Sequence, residues 1–390
     1  MVSRALEKTM IRALSSFPAL AILGARQVGK TTLAKQLSGE LKKPVHYIDL
    51  ERPSTLAIIK REPEEYFASY INHCVIIDEV QRLPSLFPLL RSLIDDKRKP
   101  ARFIITGSAS PDLLKGASES LAGRVMYCQL NPIGLHDLPE SISLKHHWLR
   151  GGFPVPLTMK SNSLRTDWMD SFITTYIEKD LPFLFDVKFS PVTMRKLWQM
   201  LAHVHGNILN AENLGNSLNI TGTTLKRYVD FLEGAFIIKR LPPFFTNHGK
   251  RLVKAPKIYI NDSGILHFLL NLHSEKELIN HPGLGVSWEG YAISQIMYAK
   301  NTRLDAHYYR THAGAECDLV LARGHEVKAA IEIKYSKSPS ITKGFHNSIA
   351  DLKSKNNFII TPLETDYLSK DGIRRVGLAV FISKYLPKLK

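Results

Sequence analysis

Short, continuous apolar runs recur along the first part of the chain. Ala19-Leu20-Ala21-Ile22-Leu23, His46-Tyr47-Ile48-Asp49-Leu50, Cys74-Val75-Ile76-Ile77 and Arg102-Phe103-Ile104-Ile105 are of the kind that strands buried on both faces require. Helical stretches separate them, so residues 1–145 are expected to form βαβ units around a parallel sheet. The pattern then changes. Gly151-Gly152-Phe153-Pro154 reads as a turn and Ser161 to Leu181 as helix, which predicts a helical lid over 146–190. Residues 191–260 read as helices followed by two strand-like runs, and 261–390 return to mixed α/β.

Within the middle block the periodicity is sharper. Leu225, Tyr228, Val229 and Leu232 fall at i, i+3, i+4 and i+7 and give one buried helical face. Thr223, Thr224, Lys226, Arg227 and Asp230 fall elsewhere on that helix. Ala211 to Leu218 is a short helical unit and Asn219-Ile220-Thr221-Gly222 a turn, so the block reads as helix-turn-helix. Phe236-Ile237-Ile238-Lys239-Arg240 and Ile258-Tyr259-Ile260 are expected to pair as a wing.

Composition adds a charge. The chain has 390 residues, 44% hydrophobic and 23% charged, an ordinary globular balance with room for several domains. Its formal net charge of +16 suits a polyanionic partner, nucleic acid first and acidic membrane surfaces second. The imbalance is locally strong. Residues 181–260 carry eleven lysines and arginines, opposed only by Asp186, Glu212, Asp230 and Glu233. Thr223, Thr224, Lys226, Arg227, Lys239 and Arg240 are therefore candidate DNA contacts, with protein contact as the alternative. Few of these residues suit base reading, so shape or non-specific binding is expected.

No stretch approaches the length of a transmembrane helix, and Arg4, Glu7, Lys8 and Arg12 interrupt any secretory signal. Cys74, Cys128 and Cys317 are far apart and lie in apolar runs, as buried thiols of a reducing compartment do. A cytoplasmic protein without membrane attachment is the expectation.

The first chemical signal is Gly24-Ala25-Arg26-Gln27-Val28-Gly29-Lys30-Thr31, which fits G-x-x-x-x-G-K-[ST] between a strand and a helix that continues through Thr32. Such a loop cradles phosphates on backbone N–H groups at a helix N-terminus. Gly24, Gln27, Val28, Gly29, Lys30, Thr31 and Thr32 are thus expected to bind ATP, with Lys30 on the β/γ oxygens and Thr31 on Mg²⁺. Val75-Ile76-Ile77-Asp78-Glu79 supplies acids at the carboxyl end of another strand. Asp78 is expected in the Mg²⁺ shell and Glu79 as the base that activates water. Ser108, or secondarily Thr106, follows a further strand as a sensor of the γ-phosphate, with turn chemistry as the alternative. Arg124, after Leu121-Ala122-Gly123, is either an arginine finger for a neighbouring subunit or a surface salt bridge.

These motifs together resemble AAA-type ATPases fused to a DUF4143 C-terminal region. The resemblance runs on through Gly151-Gly152-Phe153-Pro154, Tyr176-Ile177-Glu178-Lys179-Asp180-Leu181 and Pro256-Lys257-Ile258-Tyr259-Ile260-Asn261-Asp262, nearly the whole chain. It implies an ATPase engine, Ser108 as the sensor position and Arg124 acting in trans. Action in trans requires a homo-oligomer, for which the class suggests a hexamer.

The C-terminal block carries a second constellation. Glu316-Cys317-Asp318-Leu319-Val320-Leu321 and Ala330-Ile331-Glu332-Ile333-Lys334 read as neighbouring strands, with Glu332 and Lys334 on one face. Two carboxylates suit a divalent ion, and a lysine beside them can handle a water proton. The hairpin resembles the PD-(D/E)xK nuclease superfamily, which implies Asp318, Glu332 and Glu289 as metal ligands and Lys334 as the catalytic lysine. The expected fold is α/β: a P-loop AAA-type ATPase core over 1–145, a helical lid over 146–190, a winged helix over 191–260 and a restriction-endonuclease-like domain over 261–390. The expected function is Mg²⁺-dependent ATP hydrolysis coupled to binding or remodelling DNA, branched DNA included, with metal-dependent cleavage as an added activity. The alternative is an ATP-controlled regulatory switch whose nuclease-like domain is catalytically inactive and binds DNA or protein.

Overall fold

A computed structural model describes residues 4–110, 121–185, 189–245 and 252–389. Asp186, Lys188, Lys250 and Arg251 of the basic stretch lie outside the described residues. The chain divides into two compact units: Met1–Ile133 with Lys179–Lys188 and Gly234–Phe236, and Gly134–Glu178 with Phe189–Glu233 and Ile237–Lys390.

The first unit is built on a parallel five-stranded sheet: β1 (Ala19–Leu23), β2 (Val45–Asp49), β3 (Cys74–Asp78), β4 (Phe103–Gly107) and β5 (Val125–Gln129), in the order β2-β3-β4-β1-β5. The fully apolar runs take the middle of the sheet. β1, β3 and β4 are buried along their length, whereas edge strands β2 and β5 keep exposed positions. Helices α1 (Glu7–Leu14), α2 (Lys30–Gly39), α3 (Pro53–Arg61), α4 (Pro63–Ala68) and α5 (Leu86–Asp96) belong to the same unit. Ile59, Phe67, Leu90 and Ile94 from them join Ile77, Phe103 and Ile105 of the sheet in one core. Because every strand runs the same way, the ends of β1, β3 and β4 emerge at one edge, which is where α/β sheets place ligands.

The helix expected over Ser161–Leu181 is broken. It runs from Asn162 to Thr175, passes through a π-helical turn at Tyr176–Asp180 and restarts as Leu181–Phe185. Such wide turns recur at functional positions. This one carries Asp180, whose carboxylate takes up the P-loop side chain Arg26.

The second unit holds the helix-turn-helix and a six-stranded mixed sheet. Helices Ala211–Ser217 and Gly222–Gly234 flank a turn in which Asn219 has φ 55°. Gly215 lets that turn close: a Cβ there would lie 2.8 Å from the Ile220 carbonyl. Strands β6 (Ile238–Leu241) and β7 (Lys257–Ile260) then pair antiparallel, Lys239 opposite Tyr259. The larger sheet follows the order β12-β13-β11-β10-β9-β8, from β8 (Asp305–Arg310), β9 (Glu316–Arg323), β10 (Glu326–Ile333), β11 (Asn357–Thr361), β12 (Asp366–Leu368) and β13 (Arg374–Gly377). Helix Leu284–Ala299 buries Trp288, Tyr291 and Ile293 in the core with Ile331 and Ile360.

Two motif fragments far apart in sequence meet in this unit. Asp262 caps helix Ser263–Leu269 by accepting from Ile265 N at 3.0 Å, and also accepts from Gly152 N at 2.7 Å. A Cβ on Gly151, which has φ 76°, would fall 2.1 Å from the Asp262 carboxylate. Glycine at 151 therefore lets the turn reach its cap.

Candidate functional site

The P-loop occupies the turn between β1 and α2. Gln27 and Gly29 take positive φ, 64° and 99°, and α2 begins without a side-chain cap. An uncapped helix start leaves backbone N–H groups for an anion. Space beside Gly29 is open, since a Cβ there would meet nothing within 4 Å. Gly24 sits tightly instead: a Cβ would lie 2.2 Å from the Leu130 carbonyl. Val28 is buried, and its carbonyl accepts from the Arg4 guanidinium at 3.1 Å, so the N-terminal segment braces the loop.

Lys30 is buried at the end of the sheet. Its Nζ donates to Ala25 O at 3.0 Å and Ser108 Oγ at 2.9 Å, and stands 3.8 Å from Glu79 Oε1. Burial lowers its pKa, partly offset by Glu79 and Asp78. Ser108 Oγ in turn donates to Glu79 Oε2 at 3.0 Å. Asp78 accepts from Thr31 Oγ1 at 2.8 Å, Tyr47 OH at 2.7 Å and the Thr106 hydroxyl. Glu79 has φ 56°, a strained value for a residue with a Cβ, and its N–H donates to Thr106 Oγ1 at 3.1 Å. The structure thus brings Lys30, Thr31, Asp78, Glu79 and Ser108 together. It places Thr106 beneath the acids and Ser108 beside the lysine. Thr32 lies in the first turn of α2.

Three neighbours carried no assigned role in the sequence reading. Tyr47, whose phenol is pushed up by burial and by its hydrogen bond to Asp78, comes from β2. Gln81 donates to Glu79 and accepts from Ser108 N at 3.3 Å. Arg26 binds Asp180 and lies 3.4 Å from Glu51, which also pairs with Arg82 at 3.0 Å. Arg124 is engaged within its own unit: its guanidinium donates to both Asp95 oxygens, at 2.6 and 2.7 Å. This is the salt-bridge arrangement rather than a projecting finger.

The candidate DNA contacts separate into two sets. Thr223, Lys226 and Arg227 are exposed and Thr224 half-buried on their helix. Lys239 and Arg240 do not belong with them. Alternation along β6 turns Lys239 inward, where its ammonium is buried on Ser294 Oγ, and burial pushes its pKa down to about 7. Arg240 points the other way but is held by Asp230 at 2.8 Å and by Glu233.

The C-terminal constellation assembles around Lys257, which the charge pattern counts only among the basic residues of the middle block. Lys257, from β7, places Nζ 3.2 Å from Glu289 Oε1, 3.3 Å from Glu316 Oε1 and 3.9 Å from Asp318 Oδ1. Asp318 Oδ2 accepts from Ile333 N at 2.8 Å, and Tyr259 OH donates to Glu289 at 2.6 Å. Glu332 accepts from Lys334 Nζ at 2.8 Å and Thr342 Oγ1 at 3.2 Å. Among the described residues, no group of three His, Cys, Asp or Glu side chains is arranged to hold a metal ion. Lys257 thus stands beside Glu289 and Asp318, two of the three carboxylates expected as ligands of a divalent ion.

Comparison with known proteins gives matches along the chain. The family model "AAA domain" covers residues 16–138, "Domain of unknown function (DUF8612)" covers 141–276, and "Domain of unknown function (DUF4143)" covers 284–381. The uncharacterized protein Rv2008c of Mycobacterium tuberculosis is 40% identical over 365 residues, 93% of this chain and 80% of the relative. The uncharacterized protein Mb2031c of Mycobacterium bovis matches with the same 40% identity and coverage. Among solved structures, the Walker-type ATPase PABY2304 of Pyrococcus abyssi covers 69% of this chain and 96% of its own, at 16% identity and TM-score 0.48. No helix among the described residues is long and apolar enough to cross a membrane.

Proposed function

The chain belongs to the family that joins an AAA domain to a DUF4143 domain, and from that premise we propose that it hydrolyses ATP with Mg²⁺ and uses the cycle to act on DNA. The observation that carries the hydrolytic part is the chain of contacts Lys30–Ser108–Glu79 beside the Thr31–Asp78 hydrogen bond. Lys30's present partners are a carbonyl and a hydroxyl, both exchangeable for β/γ-phosphate oxygens. The open left-handed turn at Gly29 and the uncapped start of α2 fit a phosphate. Thr31 and Asp78 would hold Mg²⁺, which when bound neutralises charge on the phosphates.

In the proposed step water attacks the γ-phosphorus and Glu79 takes its proton. The bond from that phosphorus to the β,γ-bridging oxygen breaks, and ADP leaves with the electron pair. Ser108 orients Glu79 and contacts Lys30, which suits the sensor role. A trans role for Arg124 in a homo-oligomer, hexameric or otherwise, requires the guanidinium to leave Asp95.

The DNA part rests on charge: a net +16 overall, and exposed Thr223, Lys226 and Arg227 on the second helix of the helix-turn-helix. A second reading, an ATP-controlled switch whose nuclease-like domain does not cleave, is favoured by Lys257 among the C-terminal carboxylates. Steady-state ATP turnover, measured without DNA and with linear, single-stranded and four-way-junction DNA at two salt concentrations, tests both. DNA stimulation that weakens with salt and is lost in Lys226→Ala/Arg227→Ala supports action on DNA. An equal rate across the panel removes DNA and leaves the switch. Turnover undiminished in Lys30→Ala overturns the ATPase assignment itself.

A further inference from the structure

The nuclease-like hairpin brings its acids to one place, yet a positive charge is already there. β7 and helix Leu284–Ala299 set the Lys257 ammonium beside Glu289, Glu316 and Asp318, at 3.2, 3.3 and 3.9 Å. The lysine is 4% exposed, so its contacts with Glu289 and Asp318 are little screened, while Glu316 is partly open to water. Several of these carboxylates have a further donor. Tyr259 binds the same Glu289 oxygen at 2.6 Å, Arg310 approaches Glu316 Oε2 at 3.8 Å, and the backbone of Ile333 binds Asp318 Oδ2 at 2.8 Å. Oε1 of Glu332 accepts from both Lys334 and Thr342. A divalent ion needs several oxygens free to turn toward one centre. Here the oxygens turn toward an ammonium, and an ion placed among them would be in direct repulsion with it.

We infer that Lys257 is the resident cation of this carboxylate cluster, taking the place a divalent ion would need. The C-terminal domain then engages its partner without a hydrolytic metal centre. Lys257 is covalently fixed on a paired strand, so the charge cannot be exchanged by changing the metal in solution. The inference does not depend on the ATPase reading, because neither its geometry nor its test involves nucleotide.

The test is Mn²⁺ binding to the full-length protein without nucleotide, followed by the electron paramagnetic resonance signal of free Mn²⁺. Wild type and Asp318→Asn are expected to bind the same number of ions. Lys257→Met is expected to bind one more, and Lys257→Met/Asp318→Asn to lose it. A wild-type stoichiometry that falls by one in Asp318→Asn overturns the inference. So does a folded Lys257→Met, checked by circular dichroism, that gains no ion. Should Lys257→Met fail to fold, the wild-type and Asp318→Asn comparison decides alone. As a second readout, Mn²⁺-dependent nicking of supercoiled plasmid by wild type that Asp318→Asn abolishes also overturns it.

Discussion

Lys30 and Lys257 are both buried lysines beside acids, and they are in opposite states. Lys30 has two neutral partners and one carboxylate at 3.8 Å, and burial holds its pKa below the usual lysine range. For Lys257 burial pulls the same way, but the charges of Glu289, Asp318 and Glu316 outweigh it and push the pKa up. The first lysine keeps its charge poorly satisfied and gains from an incoming anion. The second is already satisfied by fixed charges of its own chain. Similar ingredients therefore build a site that waits for a ligand in one unit and a closed structural cluster in the other. Which state arises depends on whether the neighbours are exchangeable dipoles or fixed carboxylates.

The comparison is tested most severely by removing an acid from each site. Glu79→Gln is nearly isosteric and keeps the hydrogen bonds from Ser108 and Gln81 within reach of a side-chain carbonyl. Loss of a general base costs about 10²–10⁴-fold in rate, so ATP turnover should fall by that factor while nucleotide binding, read by a fluorescent analogue, persists. The melting temperature should barely move. A rate within tenfold of wild type would show that Glu79 does not act as the base.

Glu289→Ala should do the reverse. It strands Tyr259 OH and the Lys257 ammonium, both buried, without their closest acceptor. Breaking a buried pair on one side costs about 3–5 kcal/mol, so the denaturation midpoint of the second unit should drop sharply. Trp288, the adjacent residue and fully buried, reports it by fluorescence. Turnover per folded molecule should be retained. A loss below about 1 kcal/mol would mean that the cluster is loosely held and that the two sites are more alike than their geometry implies.

The two sites also differ in how much of them the sequence discloses. The nucleotide site is local chemistry: one loop, and acids at the tip of the next apolar run, so Lys30, Thr31, Asp78, Glu79 and Ser108 are legible from spacing. Tyr47, Gln81 and Asp180 are not, because their roles depend on strand order and on a π-helical turn that no periodicity announces. In the second unit, Asp318, Glu332 and Glu289 are legible as acids, but the meaning of the group is set by Lys257, 32 positions from Glu289. The signal available was strand alternation. Lys257 and Tyr259 lie two apart on β7, and Lys239 pairs opposite Tyr259 on β6, so all three share a face. Charge counting treats Lys239 and Lys257 as solvent-facing cations, and that error overstates the basic surface of the middle block.

Lys239 is the third buried lysine and isolates the carboxylate effect, since it lies on the same strand pair as Lys257 with a serine for a partner. Its pKa of about 7 in the folded protein lies far below the 10.5 of an exposed lysine. Between those values the unfolded chain binds more protons than the folded one, so stability rises as pH is raised from 7 toward 10. Facing it are Tyr259, held above its ordinary range by burial, and His205, whose pKa of about 3 keeps its own titration below that window. Lys239→Met removes the buried charge at similar volume and forfeits one hydrogen bond to Ser294. Stability at pH 7 should increase by roughly 3 kcal/mol, the depressed pKa counted at about 1.4 per pKa unit less about 1 for the lost hydrogen bond, and the gain should shrink toward pH 10. The same pH slope in the mutant and the wild type, measured by urea denaturation at both pH values, would mean that Lys239 stays charged in the folded state. In that case burial without a carboxylate partner would not suffice to separate it from Lys257.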